Sequence, residues 1–103
     1  MSINLPVNVL KEIRNLAKSY DIEKILLFGS RARGDHKHKS DIDLAVYTGP
    51  SFNRQGHFAS AIDDLPTLLK IDVVFIDDSI DKKLLLNIMQ EGVVIYERSE
   101  KQA

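Results

Sequence analysis

The sequence lacks three things that would narrow its class at once: cysteine, a membrane-length apolar run and a signal-peptide pattern. Without cysteine there is neither a disulfide framework nor a thiol nucleophile. Without the other two we expect no membrane association and no secretion. These absences together predict a cytoplasmic protein.

The sequence also lacks an excess of charge of either sign, because 14 Lys and Arg stand against 15 Asp and Glu, for a net charge of −1. Proteins that bind nucleic acid through bulk electrostatics carry a strongly basic surface, so we expect no direct nucleic-acid binding. Repeats, low-complexity tracts and interdomain linkers are absent as well. With 103 residues the chain can bury a core unaided, and we predict one domain over residues 1–103, with its core at about 3–96.

Hydrophobic periodicity predicts alternating helices and strands. The expected fold is α/β (α+β), a small mixed β-sheet of about four strands flanked by helices. Asn4 is a candidate helix cap, the last long helix is expected to bury Leu84, Leu85, Ile88 and Met89, and residues 97–103 are expected to form a frayed, solvated tail. The predicted helices cover residues 6–20, 52–65 and 81–90, and the predicted strands cover residues 24–28, 40–47, 71–75 and 93–96.

The most informative stretch covers residues 26–47. An apolar strand ends at Gly29 and Ser30, and after ten further residues a second strand begins with Asp41 and Asp43. Side chains alternate along a strand, so both aspartates lie on one face, about 7 Å apart. Mg²⁺ prefers oxygen ligands and is usually held by one or two carboxylates together with substrate phosphates. The pair therefore indicates a divalent-cation site.

The residues after the first strand indicate an anion site. Ser30 precedes a predicted helical turn at 31–34 and offers a hydroxyl with nearby backbone N–H groups. Gly29 lets the backbone approach a phosphate without a Cβ in the way. Arg31 and Arg33 lie in the same turn. We expect one to reach a phosphate and the other to form a structural ion pair, and the sequence does not say which.

Connectivity predicts that these groups meet. A link of ten residues is short for a parallel crossover, so the strands that end at Ser30 and begin at Asp41 should pair antiparallel. A helix between the second and third strands permits a right-handed crossover, which makes those two strands parallel. Asp72, at the start of the third strand, is then expected at the same edge as Asp41 and Asp43.

The loop at 35–39 allows two interpretations. It contains Lys37, Lys39 and two histidines, and is either a solvated turn or a basic rim beside a bound triphosphate. The histidines, His36 and His38, are metal-ligand candidates by type, but two histidines alone in a lysine-rich loop make a weak case.

The motif resembles that of a known superfamily. Gly29-Ser30, ten residues, and then Asp41-Ile42-Asp43-Leu44 resembles the signature of the DNA polymerase β-like nucleotidyltransferases. That family expects a third carboxylate on a later strand, and Asp72 is in that position. The resemblance covers roughly residues 3–96, with no added substrate-binding domain. The fuller motif is similar to that of the minimal nucleotidyltransferase (MNT) proteins: Gly29-Ser30-Arg31-Ala32-Arg33-Gly34 with Ser40-Asp41-Ile42-Asp43-Leu44.

The resemblance implies a reaction. A nucleoside monophosphate, AMP from ATP in the expected case, is transferred to an acceptor hydroxyl and pyrophosphate is released. Two Mg²⁺ ions are bridged by Asp41 and Asp43, and Asp72 shares one of them and accepts the proton. Ser30, neighbouring backbone N–H groups and one of the two arginines hold the β- and γ-phosphates of the nucleoside triphosphate.

The resemblance also implies a partner. MNT proteins are small, cytoplasmic and prokaryotic, and are often paired with a helical HEPN-type protein, so the acceptor is expected to be a tyrosine hydroxyl on a HEPN-type toxin or a helical substrate-binding subunit. The chain would then be an antitoxin of a HEPN/MNT toxin-antitoxin pair. The alternative is a non-catalytic antitoxin or nucleotide-binding subunit that masks its partner in a stoichiometric complex. Three acids that repel one another without metal favour the enzyme. A homodimer and a hetero-assembly both stay open.

Overall fold

The computed structural model describes residues 3–98, and within them the predicted alternation of helices and strands is confirmed. None of the helices in this part of the chain is long and apolar enough to cross a membrane. The elements, in chain order, are α1 (Val7–Ser19), β1 (Lys24–Phe28), α2 (Ser30–Arg33), β2 (Ile42–Tyr47), α3 (Gln55–Asp63), β3 (Ile71–Phe75), α4 (Lys82–Glu91) and β4 (Val93–Glu97).

The strands form one mixed four-stranded sheet in the order β3-β2-β1-β4. β1 pairs antiparallel with both β2 and β4, while β2 and β3 are parallel. This agrees with the sequence-based expectation, because the short link after β1 allows only an antiparallel return and α3 supplies the crossover to β3. The end of β1 and the starts of β2, β3 and β4 therefore share one edge of the sheet.

The two faces of the sheet are covered unequally. One face packs against α1 and α3 in the larger core, which includes Ile13, Leu44 and Phe58. The other face packs against α4 in a smaller cluster whose buried members are Leu26, Phe28, Ala45 and Ile88. β1 contributes to both, which confirms the prediction that its unbroken apolar run is buried on both faces.

Helix α3 is shorter than predicted at both ends. The turn that precedes it extends to Phe52, whose N–H donates to the Gly49 carbonyl, and the helix begins at Gln55. At the other end Pro66 disfavours a helical conformation at Leu65, and the helix stops at Asp63. Phe52 and Leu65 still pack against the larger core. Their helical spacing therefore reflects packing against the same core and not membership of the same helix.

Two expectations for α1 and α4 are wrong. Asn4 does not cap α1, since its side-chain amide donates to the Arg31 carbonyl at 2.9 Å and Pro6 occupies the cap position. Met89 is 67% exposed. The reason is that α4 lays only a narrow stripe on the sheet, in which Ile88 is fully buried and Leu84 and Leu85 are partly buried.

The chain end is more ordered than expected at two positions. β4 continues through Glu97, and the Arg98 N–H donates to the Glu23 carbonyl at 2.8 Å. The predicted frayed tail is therefore wrong for Glu97 and Arg98, and its remainder, residues 99–103, lies outside the described residues.

Candidate active site

The shared edge of the sheet collects the acids singled out in the sequence. In the strand register Asp43 pairs with Phe28 of β1 on one side and with Asp72 of β3 on the other. Paired residues on adjacent strands share a face, so Asp43 and Asp72 project together on the side covered by α4. Asp41 lies immediately before β2, two residues from Asp43.

Charge at this edge is dominated by carboxylates. Burial raises the pKa of Asp43 above its ordinary value of 3.8, and the charges of Asp72, Asp41 and Glu91 raise it further. The guanidinium of Arg33 acts in the opposite direction. A half-buried carboxylate among other carboxylates favours a bound cation, because a cation relieves the repulsion that disfavours the ionised form.

Asp41 and Asp72 are more accessible than Asp43. Asp41 is exposed, and the Asp72 side chain is 43% exposed with one oxygen 3.7 Å from Lys70 Nζ. The lysine is itself 71% exposed, so this ion pair contributes little and breaks easily. Both aspartates can therefore change partners without disturbing the core.

These carboxylates suit a hard divalent cation by ligand type, since Mg²⁺ takes oxygen donors. The raised pKa of Asp43, caused by burial and by the neighbouring acids, agrees with that fit. Within residues 3–98, however, no three acidic or histidine side chains stand close enough together to form a ready metal-holding group. Asp41, Asp43 and Asp72 are thus brought to one place but would have to reorient to share an ion.

The loop between β1 and α2 touches this acid cluster. Gly29 has φ +80°, a conformation that L side chains rarely adopt, and a Cβ there would overlap the Asp43 carboxylate. Its N–H donates to Glu91 Oε1 at 3.0 Å, and its carbonyl accepts from the N–H groups of Ala32 and Arg33. Ser30 begins α2 directly beside the acids. Gly29 is therefore required both for the turn and for the close approach of Asp43.

The two arginines of α2 differ in their surroundings. Arg31 is only 5% exposed, and its three guanidinium nitrogens donate to the carbonyls of Asn4, His38 and Ser40 at 3.1, 3.2 and 3.1 Å. It fastens the segment before α1 and the loop before β2 onto α2. Arg31 is therefore the structural arginine, held by backbone carbonyls.

Arg33 faces the acid cluster. Its side chain is 47% exposed, Nε lies 3.1 Å from Asp35 and Nη1 lies 3.1 Å from Glu91 Oε1. Its charge lowers the pKa of Asp43, so it acts on the same site as the acids. Of the two candidates, Arg33 is the one placed to meet a phosphate beside Asp43.

Glu91 is the site residue that sequence reasoning missed. It ends α4, its side chain is 22% exposed, and Oε1 accepts from both Gly29 N–H and Arg33 Nη1. Neither its residue type nor its spacing marks it, because it lies 58 residues from Arg33 along the chain. Only the packing of α4 against the sheet brings it to the loop.

A cavity of about 950 Å³ opens beside Asp41. Apolar side chains line part of it, among them Leu5 and Leu68, and Lys39 and Lys70 lie on its wall. His36 also lines the cavity, and its Nδ1 is buried without a hydrogen-bond partner in the described structure. The cavity offers a mixed apolar and basic surface next to Asp41, and neither Asp43 nor Asp72 is among its lining residues.

Comparison with known proteins identifies the family. Residues 11–101 match the polymerase beta nucleotidyltransferase family model. The chain is 36% identical over 101 residues to "Putative protein adenylyltransferase MJ0604" of Methanocaldococcus jannaschii, in an alignment that covers 84% of this chain and 94% of that protein. A second protein of that organism, "Putative protein adenylyltransferase MJ1215", is 37% identical over 65 residues, which covers 61% of this chain and 72% of its own length.

Solved structures share the fold. A toxin-antitoxin complex with AMP-PNP contains a chain with a TM-score of 0.63 and 24% identity, covering 86% of this chain and 73% of that one. A complex of tri-AMPylated Shewanella oneidensis HEPN toxin with MNT antitoxin gives a TM-score of 0.59 at 21% identity, with coverage of 89% and 72%. At these identities the likeness establishes the fold. The family match and the relative of 36% identity show that the chain belongs to the polymerase beta nucleotidyltransferase family.

Proposed function

We propose that this nucleotidyltransferase transfers AMP from ATP to a hydroxyl on a partner protein and releases pyrophosphate. The observation that carries the proposal is that Asp43 and Asp72 are paired on neighbouring strands, with Asp41 two residues before Asp43 and the Gly29 turn directly against the Asp43 carboxylate. Acids from two strands beside a backbone loop are the arrangement that a phosphoryl transfer needs, because such reactions depend mainly on positioning and on charge stabilisation.

In the proposed reaction the acceptor oxygen attacks the α-phosphorus of ATP, and the bond from that phosphorus to the pyrophosphate oxygen breaks. Asp72 takes the proton of the acceptor hydroxyl, which suits its partly exposed position on an outer strand. Asp41, Asp43 and Asp72 are the residues that would hold two Mg²⁺ ions, which when bound would lower the pKa of the acceptor hydroxyl and neutralise charge on the phosphates.

We assign the phosphate side of the site to Gly29, Ser30 and Arg33. Arg33 has a solvent-accessible guanidinium next to Asp43 and can meet the β- and γ-phosphates. Arg31, the other candidate from the sequence, supports the site from behind by holding the loop before β2. Its three donor nitrogens are already engaged with carbonyls, so we assign it no phosphate contact.

We propose a cytoplasmic HEPN-type toxin as the partner and a tyrosine hydroxyl as the acceptor, which makes the chain an antitoxin. The names of the relatives support protein adenylylation, and a structural neighbour is an MNT antitoxin in complex with an AMPylated HEPN toxin. The cavity beside Asp41 is the approach that we assign to the acceptor, since it opens next to this one acid and offers both apolar and basic contacts.

The test is to co-purify the chain with its partner, incubate the pair with ATP and Mg²⁺, and measure the intact mass of the partner. We expect added AMP with the wild-type chain and with Glu12→Gln, a matched control on the exposed face of α1. We expect none with Asp41→Asn or Asp43→Asn. Transfer by the Asn variants at the wild-type rate would refute the mechanism.

Stoichiometric masking is the second candidate. It is favoured by two observations: the acids in residues 3–98 do not stand as a ready metal-holding group, and Lys70 Nζ lies 3.7 Å from Asp72. In that case the partner would be inhibited while its mass stays unchanged, and the Asp43→Asn variant would inhibit it as well as wild type does. The same mass measurement therefore separates the two candidates.

A further inference from the structure

Glu91 joins three parts of the site through one oxygen atom. Its Oε1 accepts from the Gly29 N–H at 3.0 Å and from Arg33 Nη1 at 3.1 Å, and its own backbone belongs to the end of α4. Building on the proposed function, we propose that Glu91 is a positioning residue for the nucleotide phosphates. It fixes the Arg33 guanidinium and the Gly29 turn beside Asp43 before the nucleotide binds.

The burial of the pair supports this role. Most surface ion pairs contribute little because both side chains stay solvated and mobile. The Glu91 side chain is only 22% exposed, and one of its two donors is a backbone N–H whose position is determined by the sheet. Asp35, the other carboxylate on Arg33, raises the pKa of Arg33 more than Glu91 does, but it is 64% exposed and only two residues away, so it does not tie the arginine to the rest of the site. Glu91 is the restraint that ties Arg33 to α4 and to the Gly29 turn.

The donors that Arg33 keeps free are the second observation. Asp35 and Glu91 engage Nε and Nη1, and within residues 3–98 no hydrogen bond from Nη2 is seen. A guanidinium held at two nitrogens presents its third in a defined direction. Fixing a long side chain in advance improves affinity because the ordering cost is not incurred on binding. Glu91 thus prepares Arg33 for a phosphate and does not itself touch one.

The position of the Glu91 carboxylate oxygen and its negative charge predict opposite effects on triphosphate binding. The negative charge disfavours a bound triphosphate and raises the pKa of Asp43, so the benefit of Glu91 must come from where its oxygen lies. Glu91→Gln keeps an acceptor oxygen at the same reach and removes the charge. Glu91→Asp keeps the charge and withdraws the oxygen by one methylene. If position decides, Gln preserves the function better than Asp.

The experiment measures binding of a non-hydrolysable ATP analogue with Mg²⁺, and KM and kcat for transfer, using the complex with its partner. For Glu91→Ala and Glu91→Asp we expect Kd and KM to rise about tenfold with a smaller change in kcat, and for Glu91→Gln to stay within about twofold of wild type. In an Arg33→Ala background Glu91→Ala should add little. Glu12→Ala, on the exposed face of α1, is the control for loss of a surface acid.

Three results would overturn the proposal: wild-type binding by Glu91→Ala, weaker binding by Gln than by Asp, or binding by Gln that is tighter than that of wild type by more than about twofold. The last would make Glu91 an internal competitor of the phosphates. NMR of the Gly29 amide and of the Arg33 Nε–H separates this test from that of the proposed function. If the wild type binds no triphosphate the proposed function fails, whereas unchanged Gly29 and Arg33 signals in Glu91→Ala would refute the positioning role by themselves.

Discussion

The same strands form an apolar, packed face on one side of the sheet and a face that carries the acids on the other. The face under α1 and α3 is continuously apolar, and its residues include Leu44 with no exposed surface. The face under α4 has a buried cluster of only four residues and leaves its edge to the acids. Because side chains alternate along β2, the core residue Leu44 and the candidate-site residue Asp43 are neighbours in sequence and face opposite sides of the sheet. The chain can keep a site of mutually repelling carboxylates because the opposite face stabilises the fold.

The largest expected effects test this comparison by substituting the two neighbouring residues one at a time. Asp43→Asn should lower transfer at least about 100-fold while the fold is retained, because it removes a charge that the site needs in the transition state. Leu44→Ala should instead lower the free energy of unfolding by about 3 kcal/mol through the cavity it leaves. Its specific activity per folded molecule should stay near wild type. Urea unfolding and partner mass together measure both, and a folding defect in Asp43→Asn would contradict the separation.

The two arginines extend the comparison into α2. Arg31→Ala should lower the free energy of unfolding by about 2 to 3 kcal/mol, since three partly buried hydrogen bonds from a buried guanidinium are lost. Arg33→Ala should change stability by less than about 1 kcal/mol because its ion pairs are partly exposed. The order should reverse when triphosphate binding is measured on folded protein. Equal stabilities for the two variants would show that their burial does not matter.

Gly29 directly follows β1 and lies against the Asp43 carboxylate. Gly29→Ala should cost about 2 kcal/mol, from backbone strain at positive φ and from displacement of the Asp43 carboxylate. Gly34 also has positive φ, but a Cβ there meets no atom within 4 Å. Gly34→Ala is therefore a control for positive φ without a contact, since Gly34 lies in the left-handed region (φ 88°, ψ 6°) and Gly29 (φ 80°, ψ −158°) lies in a region that only glycine readily adopts. Thermal unfolding should show the larger loss for Gly29→Ala, and an equal loss in both variants would show that neither this backbone region nor the contact adds to the cost.

The smallest expected effect is the pH dependence that Asp43 gives to stability. Its pKa is raised in the folded protein above its ordinary value of 3.8, so ionisation costs more in the folded state than in the unfolded state. Stability from this group is fully present below pH 3.8 and is lost as the pH rises through the raised pKa. Without Mg²⁺, Asp43→Asn should therefore become progressively more stable than wild type across that interval. Denaturant unfolding at several pH values measures the difference, and a difference that shrinks with rising pH would contradict it.

Much of the fold follows from the sequence because periodicity and connection length are local. The short link after β1 and the helix before β3 each leave one sensible pairing, and the sheet has that pairing. Errors arose where burial and helix were treated as equivalent. Phe52 and Leu65 lie outside the helix and are partly buried against the core, whereas Met89 is helical but exposed.

The candidate site, too, could be predicted from the sequence only in part. Asp41, Asp43 and Asp72 could be expected together because strand order brings them together. The different roles of Arg31 and Arg33 could not, since the two have the same type and differ only in which carbonyls or carboxylates surround them. Glu91 could not be found either, because its place depends on how α4 sits across the sheet.

β3 is an outermost strand of the sheet, with β2 on one side and no strand beyond it among the described residues. Asp72 therefore stands at the rim of the molecule. In the reaction proposed above, a hydroxyl carried by a folded macromolecule can reach this position without entering a cleft, and the choice of target can change through the docking contacts alone while the phosphate-binding residues stay the same.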